Sequence, residues 1–347
     1  MTDPLPNVGV AFNAYEPLPL IGRPEEQISE ESVAEVASEV AEAVKKLGYP
    51  VTIIPLQKSF LNFLRRVNEL NLDVLVNLCE GFFGRPQWEA NVAATLELLH
   101  LFFTGNKSRT LAVCQDKYMA KAILISHNLP TAPSQLLSSR SQPLEVRFPV
   151  IIKPNAEDAS LGIGPNSVVS DPERLAVQVK KILDLYKQPA LVEEYIEGRE
   201  FNVAVMENKT IQALPVSEID FSQVPESMPH ICSYEAKWLK DHVMYKTTVP
   251  ICPAPIEDAL REKLQQMAVD AFRAMGCRDY ARVDFRMDKA GNIFILEVNP
   301  NPDTSLDAGY ARALNAAGIE YSRFWKYMLD NALRRKKSYG PPNGAVR

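Results

Sequence analysis

The segment RVDFRMDKAGNIFILEVNPNPD, residues 282–303, contains two runs rich in Val, Ile and Phe. The runs flank DKAGN, whose Gly and Asn favour a reversal of the chain, so the segment predicts a β-hairpin. Pairing centred between Ala290 and Gly291 gives the hairpin one apolar face, because strand side chains alternate with period two. The apolar cross-strand pairs are then Val283–Val298, Phe285–Leu296 and Met287–Phe294.

The opposite face of the hairpin carries charged and amide side chains. In the same register it pairs Arg282 with Asn299, Asp284 with Glu297 and Arg286 with Ile295. Two carboxylates directly opposite each other destabilise a sheet unless positive charge lies between them. One interpretation is a solvated salt-bridge face neutralised by the two arginines. The other is a magnesium site, since Mg²⁺ combines one or two protein carboxylates with the phosphate oxygens of a nucleotide.

Composition limits the class of protein. The chain has 347 residues, is 46% hydrophobic and carries a net charge of −5, which favours two or three globular domains and disfavours nucleic-acid binding. The basic run at residues 334–337 is interpreted as a solvated helix end. Neither the five scattered cysteines nor the four histidines show zinc-ligand spacing. No apolar run reaches the length of a membrane span, so we expect a soluble, cytoplasmic protein without membrane contacts.

The first hundred residues alternate strand and helix, which predicts a parallel α/β domain. The strands are VGVAFN, VTIIPL and LDVLVNL, and a helix is expected from about Ser29 to Leu47. Asn77, Glu80 and Glu89 follow the third strand, where open α/β sheets bind ligands, although caps of the next helix are an equal alternative. Farther on, QDKYMAKAILISHN predicts one helix, and residues 257–275 predict an amphipathic one.

A nucleotide would need a site without the usual glycine-rich signatures, since neither G-x-x-x-x-G-K-[ST] nor G-x-G-x-x-G occurs. Lys153 ends the apolar strand FPVIIK and precedes a small-residue loop that contains Ser160, whose backbone N–H groups suit phosphate. Glu193 and Glu200 flank the turn YIEGR and could accept hydrogen bonds from adenine and ribose. Taken by itself, the turn favours the alternative of a solvated acidic hairpin.

Taken in order, these motifs resemble the ATP-grasp ligases, most closely the D-alanine–D-alanine ligase branch. The motifs are DK at 116–117, VIIKP at 150–154, the Ser160–Gly162 loop, LVEEYIEGREF at 191–201, YEAKW at 234–238, RVDF at 282–285 and EVNPNP at 297–302. The resemblance implies mixed α/β and α+β architecture in three domains, with ATP held between the last two. The expected bounds are 1–105 for the N-terminal α/β domain, 106–189 for the central subdomain, 190–335 for the C-terminal domain and 336–347 for a flexible tail.

The resemblance also implies roles for individual residues. Lys117 and Lys153 would contact ATP phosphates, Glu193 and the Ile196 backbone the adenine, Glu200 the ribose, and Lys237 the γ-phosphate. Asp284, Glu297 and Asn299 would ligate two Mg²⁺ ions, with Mn²⁺ as an alternative metal. Arg282 would stabilise an oxyanion, and Ser160 would belong to a loop that closes over the phosphates.

The implied reaction joins a carboxylate to an amine through an acyl phosphate, with an amino acid or small peptide-like acid as substrate and a homodimer as the candidate assembly. Several positions depart from the D-alanine–D-alanine ligase pattern: Ala159 replaces a serine, Trp238 a tyrosine, Asp303 a glycine, and Ala308-Gly309 a Ser-Leu pair. Glu16 or Glu25 are the candidates for a glutamate that holds the first substrate. We therefore expect a product other than D-alanyl-D-alanine. A phosphotransferase without amine coupling and a non-catalytic nucleotide-binding regulator are the alternatives.

Overall fold

A computed structural model describes residues 5–14 and 33–339, which form three β-sheets and the helices that cover them. The strands are β1 (Val8–Asn13), β2 (Val51–Leu56), β3 (Val74–Leu78), β4 (Ser134–Leu137), β5 (Val150–Pro154), β6 (Val168–Val169), β7 (Ala190–Glu194), β8 (Gly198–Asn208), β9 (Thr210–Ala213), β10 (Ser217–Asp220), β11 (Val249–Ile251), β12 (Tyr280–Asp288) and β13 (Ile293–Asn299). The helices are α1 (Val33–Lys46), α2 (Phe60–Glu69), α3 (Glu89–Leu98), α4 (Ser108–Gln115), α5 (Lys117–Ser126), α6 (Pro172–Leu185), α7 (Tyr234–Trp238), α8 (Val243–Thr247), α9 (Asp258–Ala274), α10 (Gly309–Ala316) and α11 (Tyr321–Tyr339).

The N-terminal sheet is parallel, in the order β2-β1-β3, as its apolar strands predict. β1 and β3 are buried on both faces because α1 and α11 cover one face, and α2 and α3 cover the other. Two-sided burial of this kind is usual for parallel strands, whereas the edge strand β2 exposes Ile53 and Pro55. The described part of α1 begins at Val33, so the predicted start near Ser29 lies outside the described residues, as do Glu16 and Glu25.

The central sheet is antiparallel, in the order β4-β7-β5-β6, and packs on α6. Because β7 lies between β4 and β5, the predicted domain boundary at residue 189 falls inside this sheet, and the sheet extends to Glu194. The helices α4 and α5 also depart from the expected division. Their apolar residues pack into the core of the C-terminal sheet, not of the central one.

The predicted helix QDKYMAKAILISHN is interrupted at its second residue. Asp116 has an extended backbone and is the N-cap of α5, where its carboxylate accepts a hydrogen bond from the N–H of Met119 at 3.0 Å. Such a cap satisfies an N–H that has no partner inside the helix. Lys117 becomes the first residue of α5 as a result, and its side chain points from the helix start into the cleft between the last two sheets.

The C-terminal sheet runs β11-β10-β8-β12-β13, with β9 beside β8, and contains the predicted hairpin. The pairs nearest its open end are as expected, through Asp284 opposite Glu297. Beyond them a β-bulge shifts the register, so that Phe285 lies opposite Ile295, and Leu296 is the extra residue. The predicted pairing of Phe285 with Leu296 and of the residues nearer the turn is therefore wrong by one position.

The final helix α11 returns to the N-terminal domain. Its residues Phe324, Trp325 and Met328 are fully buried among α1, β1 and one face of β8 and β12. The basic run at its end is not a solvated terminus: Arg335 makes an ion pair of 2.7 Å with Asp279, which has no exposed surface. Residues 336–339 of the expected tail are helical, and residues 340–347 lie outside the described range.

Candidate active site

The polar face of the β12–β13 hairpin places Arg282 opposite Asn299 and Asp284 opposite Glu297. Arg282 donates two hydrogen bonds to Asp284, from Nε to Oδ1 at 2.7 Å and from Nη2 to Oδ2 at 2.8 Å. Both side chains are only 15% exposed. Burial acts to lower the pKa of Arg282, but the charge of Asp284 outweighs it and raises that pKa, so the guanidinium remains charged in the cleft.

Positive charges converge on Glu297 from two sheets and two helices. The Lys117 ammonium lies 3.6 Å from Glu297 Oε2. Burial acts to raise the pKa of Glu297, but the charges of Lys117, Lys153, Lys237 and Arg282 outweigh it and lower that pKa to about 2. The carboxylate is therefore ionised at neutral pH, which a metal ligand requires.

The donor chemistry of this face fits a hard divalent cation. Asp284 and Glu297 supply neighbouring carboxylates, and Asn299 Oδ1 is fixed by accepting a hydrogen bond from the N–H of Asn301 at 3.2 Å. Within residues 5–14 and 33–339, no group of three or more His, Cys, Asp or Glu side chains is arranged to hold a metal. Oxygens of phosphate and water would therefore have to complete the shell of an ion held here, as is usual for Mg²⁺.

The structure agrees in part with the alternative interpretation, a solvated salt-bridge face. Arg282 does neutralise Asp284, but the second arginine of the pattern, Arg286, pairs with Glu200 through Nη2 and Oε2 at 2.9 Å. These side chains are largely buried rather than solvated. A buried pair of like charges beside buried cations is unfavourable for folding on its own account, which favours a ligand-binding role for the face.

Glu193 lies at the centre of the central sheet with 1% of its side chain exposed. One of its carboxylate oxygens pairs with Lys121, and the other lies 2.6 Å from the ammonium of Lys153. Burial acts to raise the pKa of Glu193, but the two lysines outweigh it and lower that pKa. Both oxygens thus face lysines, and Glu193 holds Lys153 in place. The expected contact of this carboxylate with adenine stays a prediction.

Glu200 is the third residue of β8 and lies opposite Arg286 on β12, at the rim of the same cleft. Arg286 also donates from Nη1 to the carbonyl of Gly198 at 3.0 Å, which fixes the turn between β7 and β8. Burial raises the pKa of Glu200, and the charge of Asp284 adds to that effect, while Arg286 opposes it. Ile196 is half-buried within this turn, and its expected contact with adenine stays a prediction.

The loop after β5 is tied to the short helix α7. Ser160 Oγ donates to the carbonyl of Cys232 at 2.8 Å, and Trp238 Nε1 donates to the carbonyl of Ala159 at 3.0 Å. Ala159 and Ser160 both have positive φ, an uncommon conformation for residues with a side chain. Lys237 lies beside Trp238 on α7, so one set of contacts positions both the loop and this lysine.

The first half of the loop is fixed by Lys117. Its ammonium donates to the carbonyl of Glu157 at 2.6 Å and to Asp158 Oδ1 at 3.0 Å. Gly162 is required where the loop returns, because its φ is +77° and a Cβ there would lie 2.5 Å from Pro154 Cγ. A single lysine thus contacts both the loop and the acidic hairpin.

Of the three polar residues predicted at or just after the end of β3, Asn77 is the fourth residue of the strand, and Glu80 and Glu89 follow it. Asn77 Oδ1 accepts from the N–H of Cys79 at 3.4 Å, and the N–H of Glu80 donates to Asn13 Oδ1 at 2.7 Å. Glu89 is buried at the start of α3, and burial together with the charge of Asp158 raises its pKa well above the usual value. Glu89 Oε1 accepts a hydrogen bond from Asn301 Nδ2, which places it beside the end of the acidic hairpin.

Three residues of the site escaped the sequence analysis. Asn301 follows the hairpin, and its Nδ2 donates to Glu89 Oε1 at 2.9 Å and to the carbonyl of Cys79 at 3.3 Å. The repeated Asn-Pro of NPNP was its only signal. Lys121 lies one helical turn after Lys117, a spacing that places both on one face of a helix. Asn13, at the end of β1, could have been found by the same strand-end rule that selected Asn77.

A cleft in which Lys153 of the central sheet and the helical Lys117 and Lys237 face the acids of the C-terminal hairpin is the arrangement of an ATP-grasp ligase. Fold and site assign the chain to this class. Residues 121–330 match the family described as D-ala D-ala ligase C-terminus. Because this match spans more than half of the chain, the protein belongs to that family of ATP-dependent ligases.

Curated relatives match over most of their length. The uncharacterized protein y4sG of Sinorhizobium fredii (strain NBRC 101917 / NGR234) is 34% identical over 306 residues, which are 86% of this chain and 88% of that protein. The D-alanine–D-alanine ligase of Pelotomaculum thermopropionicum is 28% identical and matches 79% of this chain and 84% of its own. No helix in the described part of the chain is long and apolar enough to cross a bilayer.

A solved structure supports the fold. The D-alanine–D-alanine ligase from Bacillus anthracis, complexed with ATP, superposes with a TM-score of 0.73 at 21% identity and covers 96% of this chain and 100% of its own. At this identity the likeness concerns the arrangement of the sheets. It agrees with the three-sheet architecture expected from the sequence.

Proposed function

We propose that the protein joins a carboxylate to an amine in an ATP-dependent reaction, with an amino acid or a small peptide-like acid among its substrates. The observation that carries this proposal is the convergence of Lys117, Lys153, Lys237 and Arg282 on Glu297. Simple nucleotide binding has no need of an arginine beside the acidic pair. A reaction that develops negative charge there does need it.

The cationic and the acidic residues of the site have different roles. Lys153, held by Glu193, and Lys117 neutralise the phosphates of ATP, and Lys237 is placed for the phosphoryl group that is transferred. Glu200 accepts from the ribose hydroxyls, and the backbone at Ile196 borders the adenine. Asp284, Glu297 and Asn299 would hold two Mg²⁺ ions, with Mn²⁺ as an alternative, and the metal would supply charge neutralisation of the triphosphate when bound.

Two chemical steps follow from these roles. A substrate carboxylate oxygen attacks the γ-phosphorus, the bond from phosphorus to the ADP oxygen breaks, and an acyl phosphate forms. The amine then attacks the acyl carbon, phosphate leaves and the amine loses a proton. Arg282 donates to the oxyanion of that tetrahedral intermediate. The loop around Ser160 excludes water, which would otherwise hydrolyse the acyl phosphate.

We further propose that the product is not D-alanyl-D-alanine. The support comes from the loop, where the indole of Trp238 donates to the Ala159 carbonyl at 3.0 Å in place of the serine and tyrosine hydroxyls of the resembled branch. The resemblance implies that those hydroxyls connect the loop to the glutamate that binds the first substrate. The homodimer implied by the resemblance belongs to the same proposal and is tested by light scattering.

The test is a phosphate-release screen with ATP, Mg²⁺ and pooled amino acids, dipeptides and other small carboxylates and amines, including D-alanine. The expected result is ADP and phosphate release that depends on both a carboxylate and an amine, with D-alanine inactive. A stable phosphorylated product formed without an amine would instead establish a phosphotransferase. Binding of Mg·ATP without turnover of any pool would establish a nucleotide-binding regulator.

A further inference from the structure

The loop between β3 and α3 exposes aromatic side chains beside the proposed ligase site. Residues Phe82 and Arg85 exchange backbone hydrogen bonds at 3.3 and 3.1 Å, and Phe83 and Gly84 between them both have positive φ. This is the backbone of a two-residue hairpin turn with a primed geometry. The turn therefore holds Phe83 at a defined position at its tip.

One side of this turn is buried and the other is not. The Phe82 ring packs against Phe60, with centroids 5.4 Å apart, at the margin of the N-terminal core. Phe83 and Trp88 face outward, 43% and 36% exposed, and their rings meet edge to face at 6.3 Å. Arg85 lies 5.2 Å above the Trp88 ring and fixes its orientation. The outward pair thus forms a rigid apolar surface.

Both ends of the loop are attached to the metal-binding hairpin by one side chain. Asn301 Nδ2 donates to the carbonyl of Cys79, where the loop begins, and to Glu89, where it ends. The N–H of Asn301 donates to Asn299 Oδ1. The ends of the loop that carries the aromatic surface therefore lie beside the end of the acidic hairpin.

Asn13 attaches the same loop to the N-terminal sheet, since its Nδ2 donates to the carbonyl of Gly81 at 2.8 Å. Gly81 tolerates no side chain, because a Cβ there would lie 2.7 Å from the Arg85 carbonyl oxygen. Contacts from two domains thus hold the loop against the cleft. A surface so firmly positioned, and exposed only on its outer side, has the character of a binding surface rather than of a mobile tip.

We propose that Phe83 and Trp88 bind the side chain of one of the two condensing substrates, which is then an amino acid or peptide with an aromatic or large aliphatic side chain. This inference rests on the proposed ligase function and names the substrate class for that site. The outward rings offer apolar area and an edge-to-face partner to such a side chain. A methyl group would bury much less of that area than an aromatic or large aliphatic side chain and would therefore bind there more weakly.

The experiment compares wild type with a Phe83→Ala/Trp88→Ala double variant. Leu98→Ala is the matched control, because Leu98 is 79% exposed on the same domain at the far end of α3. Initial rates of phosphate release are measured with phenylalanine-, leucine- and alanine-containing substrates. We expect the double variant to raise KM for the large apolar substrates at least about tenfold, with KM for ATP unchanged, and the control to match wild type.

Binding gives a second readout that needs no turnover. Titration calorimetry with a non-hydrolysable ATP analogue and Mg²⁺ should show phenylalanine- or leucine-containing ligands binding wild type and the control, and failing to bind the double variant. An active ligase that prefers alanine-sized substrates equally in all three proteins would overturn this inference and leave the proposed function standing. Absence of phosphate release with every substrate would instead overturn the proposed function, and absence of apolar-ligand binding would overturn the inference.

Discussion

Replacing Glu297 by glutamine removes a charge at the point where four cations meet, while keeping nearly the same shape. The cations lower the pKa of this carboxyl from 4.5 to about 2. A shift of that size corresponds to about 3 kcal/mol of favourable interaction for the ionised form, at about 1.4 kcal/mol per unit. We expect Glu297→Gln to lower the free energy of unfolding at pH 7 by roughly this amount.

The sign of the pH dependence follows from the direction of the shift. Because the folded state has the lower pKa, the ionised carboxylate stabilises the protein fully above pH 4.5, and this contribution is lost as the pH falls toward 2. Urea unfolding of both proteins at several pH values should therefore show a difference that is constant near neutrality and shrinks in acid. Glu197→Gln is the control, since Glu197 is 61% exposed in a surface pair with Lys289.

Ligand binding separates the metal role from the stabilising one. Mg·ATP should raise the melting temperature of wild type, because a ligand that binds only the folded state stabilises it. Mg·ATP should not raise the melting temperature of Glu297→Gln. The kcat of this variant should fall at least about 1,000-fold, which is the scale expected when a transition state loses a principal electrostatic contact. A variant that retained wild-type turnover and the Mg·ATP-induced rise would refute the assignment of this carboxylate to the metal.

Three further substitutions test contacts elsewhere in the site and the fold. Lys121→Met leaves the buried Glu193 with one cation instead of two. We expect the free energy of unfolding, measured in urea, to fall by about 3 kcal/mol and KM for ATP to rise. Trp238→Phe removes the hydrogen bond to the Ala159 carbonyl, which should cost about 1 kcal/mol and raise the ratio of phosphate released to amide formed. Arg335→Ala strands its fully buried aspartate partner, and unfolding should become easier by about 3–5 kcal/mol without a change in KM for ATP.

Each of these three substitutions has a matched control variant, a result that would contradict the prediction, or both. Lys180→Met alters an exposed helical pair and should change stability by less than about 0.5 kcal/mol. Arg334→Ala should be similarly mild, since among the described residues the Arg334 guanidinium donates to the uncharged side chain of Asn331 and makes no ion pair. Equal losses in Arg334→Ala and Arg335→Ala would contradict the importance of the buried pair. An unchanged coupling ratio in Trp238→Phe would show that the indole does not hold the loop closed.

The sequence was informative where local periodicity and position in a strand determine the outcome. Alternation, together with pairing centred on the turn, placed Asp284 opposite Glu297, because the two faces of a hairpin follow from a period of two and the partners follow from the turn. It failed past that pair, since the bulge at Leu296 inserts one residue without any Gly or Pro to announce it. The bulge is what keeps both Ile295 and Val298 in the core while Glu297 faces the cleft.

Local periodicity could not predict contacts between segments that are distant in the sequence. Glu193 reads as an exposed acid in the sequence, yet it is buried because Lys121 and Lys153, 72 and 40 residues earlier, converge on it in space. Asn301 likewise acquires its role only when the N-terminal loop is brought beside it. The predicted residues whose positions follow most directly from the sequence lie on strands, where side-chain directions are regular: Lys153, Glu200, Asp284, Glu297 and Asn299.

The position of α11 has a consequence for how the chain can be divided. Phe324, Trp325 and Met328 fill the space between the first and the last sheet, so α11 shares one core with β1 and β3. A fragment that stopped near residue 320 would uncover the apolar face of β1 and β3, and a fragment of the first hundred residues alone would do the same. Synthesis must therefore reach α11 before these early strands can be fully enclosed, and engineered truncations should aggregate rather than yield separate modules.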